Sequence, residues 1–379
     1  MLCATLHAVA APLWVGLTPA LGLVSHHLCE PMKSKKLTLI IGAGASKEFG
    51  LPVGSELKQK ISSLLDIKFD FYQQKSGDYQ IRCALESAVR QSDGRRDINP
   101  HLHAAWRIRD AMPQAISIDN FIDNHQGDEK IELCGKLAIV KSILDAEKSS
   151  KIYVDPSNNR NGINYSNTEA CWLNPFTRLL TENCRADQLE ERLNSVAFII
   201  FNYDRCIEHY LYYALQNYYK LSETRVAELL NAVQFYHPYG SVGTLPWQGQ
   251  KNLAAFGCGL DPDSLLDNAR QIKTFTEGTD PDSSEVCAIR EAVATSDNLL
   301  FLGFAFHKLN MQLISPGKFG IDVISQKRAF ATAYGLSKSD CNAIAAEICS
   351  MRGSPRTEIR NDLTCAPIFS EYTRGISLA

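Results

Sequence analysis

Leu37-Thr38-Leu39-Ile40-Ile41-Gly42-Ala43-Gly44-Ala45-Ser46 is the stretch on which the fold turns. Five apolar or β-branched residues in succession, without polar alternation, predict a strand covered on both faces; the glycines that close it predict a tight turn into a helix. The same pattern returns at Val196-Ala197-Phe198-Ile199-Ile200-Phe201, which runs into Asn202-Tyr203-Asp204, and at Asn298-Leu299-Leu300-Phe301-Leu302, which runs into Gly303. Shorter strand candidates are Ala232 to Tyr236, Arg328 to Tyr334, and Thr357-Glu358-Ile359 as a late edge strand. Strands alternate with helical spacing, so the predicted class is α/β: a Rossmann-like, mainly parallel sheet with helices on both faces.

Outward from the first strand, the apolar spacing is helical from Ser55 to Leu65, and residues 67–190 read as a helical insertion after the first βα unit. Its breaks fall at Ser76-Gly77-Asp78 and Ser92-Asp93-Gly94, and Ser117 stands as an N-cap before the early acid Asp119. Polar residues 157–167 predict a surface loop, followed by a helix from Thr177 to Leu193. After Asp204 a Tyr-rich helix reaches Tyr219, its Tyr210, Tyr213 and Tyr218 read as packing. Residues 257–284, rich in Gly, Asp and Ser, predict a mobile connection or partner loop, and Ser337 a helix cap.

Composition bounds the function. With 45% hydrophobic and 21% charged residues in 379, the chain can bury a large core and is not disordered. Lys and Arg number 39 against 42 for Asp and Glu, a net charge of −3 that offers no general attraction to a phosphate backbone. Direct nucleic-acid binding as the main task is therefore excluded. Twelve cysteines include no C-x-x-C pair, so we expect reduced thiols, no structural zinc, no other metal and a cytoplasmic location. Residues 1–29 lack Asp, Glu, Lys and Arg, but Pro12 and Pro19 interrupt them and no basic region precedes them. We expect translation to begin at Met32, with 1–31 a little-structured extension and 32–379 the functional domain; an N-terminal membrane or export signal is the competing reading.

In an open α/β sheet, ligands bind beyond the carboxyl ends of the strands. The turn at Gly42-Ala43-Gly44 sits there, before a helix N-terminus that favours phosphate charge. The third glycine of the usual dinucleotide fingerprint is displaced to Gly50 and no Walker lysine is spaced to follow, which disfavours an ordinary dehydrogenase or P-loop enzyme. Gly42-Ala43-Gly44-Ala45-Ser46-Lys47-Glu48-Phe49-Gly50-Leu51-Pro52 resembles the sirtuin superfamily signature G-A-G-x-S-x-x-x-G-I-P, with Leu51 for Ile. Asn202-Tyr203-Asp204 is similar to that superfamily's N-I-D, His237 with Gly240-Ser241 to its His-Gly segment, and Leu302-Gly303-Phe304 with Asn310 to its adenosine-side strand. The elements keep the family's order and span residues 37–335.

Two departures choose the branch. The zinc ribbon of protein deacetylases is missing, and Val53-Gly54-Ser55 replaces the D-F-R after G-I-P, so acyl-peptide chemistry is not expected. What remains resembles the sirtuin-like NADases of bacterial antiphage defence. That resemblance implies cleavage of NAD to nicotinamide and ADP-ribose as an NAD-depleting effector of abortive infection. Because uncontrolled loss of NAD is lethal, we also expect a homo-oligomer or a separate sensor protein, nucleotide-triggered or otherwise, to restrain the activity. It places Asn202, Asp204 and His237 as catalytic, and Gly42, Ala43, Gly44, Ser46, Pro52, Tyr239, Gly240, Gly303, Phe304 and Asn310 around NAD. Asp119 either lines the pocket from the insertion or caps its helix.

Within that frame, amides at Ala43 and Gly44 with the Ser46 hydroxyl are expected to hold the pyrophosphate. Asn202 bonds the ribose or a water, and Asp204 accepts from the carboxamide. His237, two residues before the Tyr239 that adjoins the glycine, takes a proton, both facing one side of a local strand. A binding module that senses NAD or ADP-ribose for a partner is the alternative to catalysis.

Overall fold

The computed structural model describes residues 35–94, 97–157, 162–249, 251–274, 277, 283–316, 327–352 and 356–379. The expected extension at 1–31 and the Met32 start lie outside them, as do parts of the 157–167 and 257–284 loops. Six parallel strands form one sheet: β1 (Leu37–Ile41), β4 (Val196–Ile200), β5 (Gln234–Tyr236), β6 (Asn298–Leu302), β7 (Arg328–Thr332) and β8 (Arg356–Arg360), ordered β5-β4-β1-β6-β7-β8. Counting only these six in chain order, the sheet reads third, second, first, fourth, fifth, sixth, the doubly wound order of dinucleotide-binding folds. The order reverses between β1 and β6, whose register pairs Ile41 with Leu302. In folds of this order ligands lie at that reversal, which here is where Gly42 and Gly303 leave their strands.

Burial explains why these runs are strands. All five residues of β1 and of β4 are buried, and successive side chains go to different faces. Ile40, Ile199 and Phe301 join the core beneath the insertion. Leu39, Ile41, Phe198, Ile200, Leu300 and Leu302 join the core on the other face. Helices cover both sides, as the continuous apolar runs required.

α1 (Ala43–Lys47) follows β1 directly, and α2 (Gly54–Leu65) follows it. The insertion then holds α3 (Tyr79–Asp93), α4 (Asn99–Ala111), α5 (Ile118–Asn124), α6 (Glu129–Lys148), α7 (Leu173–Thr181) and α8 (Leu189–Asn194). Asp78 and Ser117 cap α3 and α5 by accepting from the amides of Ile81 and Asn120. Two details correct the sequence reading. Residues 68–76, expected to be helical, are an antiparallel hairpin of β2 (Lys68–Asp70) and β3 (Gln73–Ser76), turning at Phe71 and Tyr72 with positive φ. The helix expected from Thr177 to Leu193 is instead α7 and α8, broken at Asn183, whose φ is 49°.

After β4 come α9 (Cys206–Tyr219), α10 (Glu223–Asn231) and, past β5, α11 (Pro262–Ala269) and α12 (Ser284–Thr295). α13 (Lys308–Ile314), α14 (Lys338–Arg352) and α15 (Cys365–Glu371) follow, and short 3-10 turns stand at Tyr165–Thr168 and Ala186–Gln188. Tyr210 is buried against Phe49 and Tyr165, whereas Tyr218 is exposed. Ser337 accepts from the Asp340 amide at the start of α14. The ten described cysteines are free thiols.

Candidate active site

The Gly42 turn is fixed by contacts between main chains. Gly42 N donates to Leu302 O at 3.0 Å and Gly44 N to Gly303 O at 3.0 Å. A Cβ on Gly42 would stand 2.4 Å from the Gly303 carbonyl oxygen, and one on Gly303, whose φ is +55°, would stand 2.1 Å from Ala45 N. Glycine is required at both positions because two backbones touch. Gly303 N donates to Thr332 Oγ1 at 2.9 Å, which ties β7 into the same rim. Behind the turn, Glu48 accepts from Trp172 N at 2.7 Å and Ala366 N at 3.1 Å, anchoring it to the starts of α7 and α15. Burial raises the Glu48 pKa, against the pull of these amides.

Asn202 meets this turn across 160 residues of chain. Its Nδ2 donates to Gly42 O at 3.1 Å and to Ser46 Oγ at 2.9 Å, which leaves its side-chain oxygen outside both bonds. Near Ser46, the Asp204 carboxylate accepts from Cys206 N at 3.1 Å through Oδ1 at the head of α9, and both groups pull its pKa down. Burial raises the Asp204 pKa despite these bonds. Gly42, Ser46 and Asn202 are thus bonded to one another with Asp204 beside them, and all three side chains are buried.

That bonding corrects two expectations. The Gly44 amide and the Ser46 hydroxyl, assigned above to a pyrophosphate, are committed within the protein. Asp204, assigned to a carboxamide, is 4% exposed and holds the start of α9 instead.

His237 and Tyr239 part company, where the sequence placed them on one side of a strand. β5 ends at Tyr236, and Gly240 N donates to His237 O at 2.9 Å in the turn that follows. His237 Nε2 lies 2.6 Å from Glu208 Oε1 and Nδ1 lies 3.3 Å from Asn202 O. Both partners are acceptors, which suits a doubly protonated ring. Burial opposes that charge, yet Glu208 and the Asn202 carbonyl together raise the His237 pKa. A histidine free to take a proton near neutrality is not what this geometry provides. The ring instead props the Asn202 main chain. Glu208, 2% exposed with Oε2 unpartnered among the described residues, was missed in the sequence; lying four residues after Asp204 on α9, it could have been found by helical spacing.

Tyr239 turns into an aromatic group beside the crevice. Its ring lies 5.7 Å from Phe201, which lies 5.0 Å from Phe304. Its hydroxyl donates to Asn310 Oδ1 at 2.6 Å, and burial pushes its pKa far up. Gly240 has φ +72° and faces the Gln271 carbonyl, so it serves the turn. Pro52 is buried between α1 and α2. Asp119 is half-buried and accepts from the Tyr203 hydroxyl; burial raises its pKa, with Tyr203 and His307 pulling the other way. It reaches the Asn202 segment from the insertion while Ser117 does the capping of α5.

Among the described residues, no group of three or more His, Cys, Asp or Glu side chains is placed to hold a metal ion, and no helix is long and apolar enough to cross a membrane. No model of a known protein family matches the chain, and no curated protein matches it.

Proposed function

We propose that this chain hydrolyses the bond between nicotinamide and ribose in NAD, as an NAD-depleting effector of the kind that its motifs resemble. The observation that carries the reading is the meeting of Asn202 with the Gly42–Ser46 turn at the point where the strand order reverses. The diphosphate lies against the partly exposed Ala43, beside Gly44 and Gly303, whose own amides are bonded within the protein. The pyridine end lies toward Phe304 and Tyr239, where Asp119 is the acceptor for the carboxamide amine.

Hydrolysis breaks the C1′–N1 bond, and its electron pair neutralises the pyridinium nitrogen as nicotinamide leaves. Water oxygen forms the new bond to C1′ and its proton goes to solvent. The leaving group is already activated by its charge, so the protein's work is to hold and orient. The Asn202 side-chain oxygen accepts from the ribose hydroxyl or the incoming water. His237 and Ser46 keep Asn202 in place.

A chromatographic assay of nicotinamide release, comparing the wild type with Asn202→Ala in the presence and absence of neighbouring gene products, tests the proposal. Release by the wild type that collapses in the variant supports it; no release under any condition sinks it. The commitment of Ser46 to Asn202 and of Asp204 to the start of α9 favours a second reading, a module that binds NAD or ADP-ribose to regulate a partner. Tight NAD binding without nicotinamide release selects that one.

A further inference from the structure

On the side of α9 away from the Gly42 turn, a cavity of about 690 Å³ lies between the end of α6, the middle of α9, the start of α10 and the loop from Leu245 to Gly259. Its size is that of a small-molecule site. Tyr153, Tyr212, Tyr213, Trp247 and Phe256 line it, three of them in two ordered stacks: Tyr212 lies parallel to Trp247 at 5.3 Å, and Phe256 lies on His209 at 3.9 Å. Burial lowers the His209 pKa to about 3, so its ring is a neutral aromatic face. One carboxylate, Glu223, and one ammonium, Lys148, stand on the wall. The Trp247 indole N–H is buried and has no acceptor among the described residues, and a buried donor of that kind calls for a partner.

We propose that this cavity binds an uncharged, planar nitrogen heterocycle of nucleoside size. Aromatic faces stack on the ring, Trp247 donates to a ring nitrogen or carbonyl, and Glu223 accepts from an exocyclic amine. The balanced pair of charges selects for neither a strong anion nor a strong cation.

The cavity is wired to the Asn202 segment through Arg205. Arg205 donates to the carbonyls of Gly243, Ala254 and Ala255, and Ala255 is on the cavity wall. Gly257, also on the wall, donates to Glu147 Oε2 at 2.9 Å, and Glu147 pairs with Arg205. Occupation of the cavity therefore bears on the residue that directly follows Asp204. This wiring does not depend on NAD hydrolysis, although it gives that activity a place to be controlled.

Calorimetry with adenosine and inosine tests the site, and hydrogen exchange tests the wiring. Adenosine is expected to bind the wild type and Asn202→Ala alike, about tenfold more weakly to Trp247→Phe. Inosine, which lacks the amine, is expected to bind about tenfold more weakly than adenosine to the wild type, and Glu223→Ala to erase that preference. Because Glu223 is exposed, its variant keeps the test open even where Trp247→Phe misfolds. Absence of adenosine binding, or binding lost in Asn202→Ala and kept in Trp247→Phe, overturns the site. Adenosine is expected to slow amide exchange at both 254–258 and 202–206; slowing at the first segment alone overturns the wiring.

Discussion

Two buried polar networks begin within four residues of each other, and they are built differently. Asn202 holds Gly42 and Ser46 through its neutral amide at the rim of the sheet. Arg205 holds Glu147 and a loop through a full ion pair, with the two side chains 2% and 0% exposed. A charge sealed from solvent must be matched by its own partner and is left with little to offer a ligand. The rim network keeps the Asn202 oxygen free of its internal bonds, beside a crevice the strand order leaves open. The difference teaches that burial alone does not tell two such networks apart; the unspent hydrogen-bonding capacity does.

The comparison breaks most visibly at the ion pair. Arg205→Ala leaves Glu147 buried without its partner and is expected to cost about 3–5 kcal/mol in urea unfolding. The double change Arg205→Met with Glu147→Leu is expected to recover most of that, and a double variant no better than the single one shows that the cost lies in the lost bonds to the Gly243 and Ala254 carbonyls and not in the unpaired Glu147. At the rim the balance reverses. Asn202→Ala is expected to lower nicotinamide release by roughly a hundredfold or more while costing only about 1 kcal/mol of stability.

Smaller effects sharpen the contrast by pH. The folded His237 pKa is raised above its unfolded value of about 6.5. Its stabilisation is therefore complete below about pH 6.5 and disappears as pH rises through the folded value. The stability gap between wild type and His237→Gln, roughly 2 kcal/mol for hydrogen bonds to a charged group, should be larger at pH 6 than at pH 9 in chemical denaturation. A gap that does not change with pH counts against the imidazolium. Asp119 carries the opposite sign, since its folded pKa is raised by burial. Its cost to the fold is absent below the unfolded value and present above the folded one. Asp119→Asn should accordingly raise the melting temperature at pH 7 and leave it unchanged near pH 3.5, the expected mark of a carboxylate kept for a ligand.

How much of this was legible follows from what burial writes into a sequence. β1, β4 and β6 were readable because strands covered on two faces must be apolar throughout. The β2–β3 hairpin was not, because Lys68–Asp70 is wholly exposed and its turn uses Phe71 and Tyr72 in place of glycine. At the site, Gly42, Ser46 and Asn202 were identified as a set, since the resemblance to a known motif carries their spacing. What each atom does was not legible: whether Ser46 faces a ligand or Asp204 depends on rotamers that no spacing encodes. Glu147 lies 58 residues from Arg205, a distance over which a single sequence records no pairing.

The contact of Gly42 with Gly303 and of Gly303 with Ala45 joins the two halves of the sheet through peptide atoms alone. The glycines at that contact have no side chain to rotate, so its spacing is set by bond lengths and angles. Any accommodation of a bulkier guest must then come from the α5 wall that carries Asp119, and variants selected for new ligands should accumulate there while the seam stays untouched.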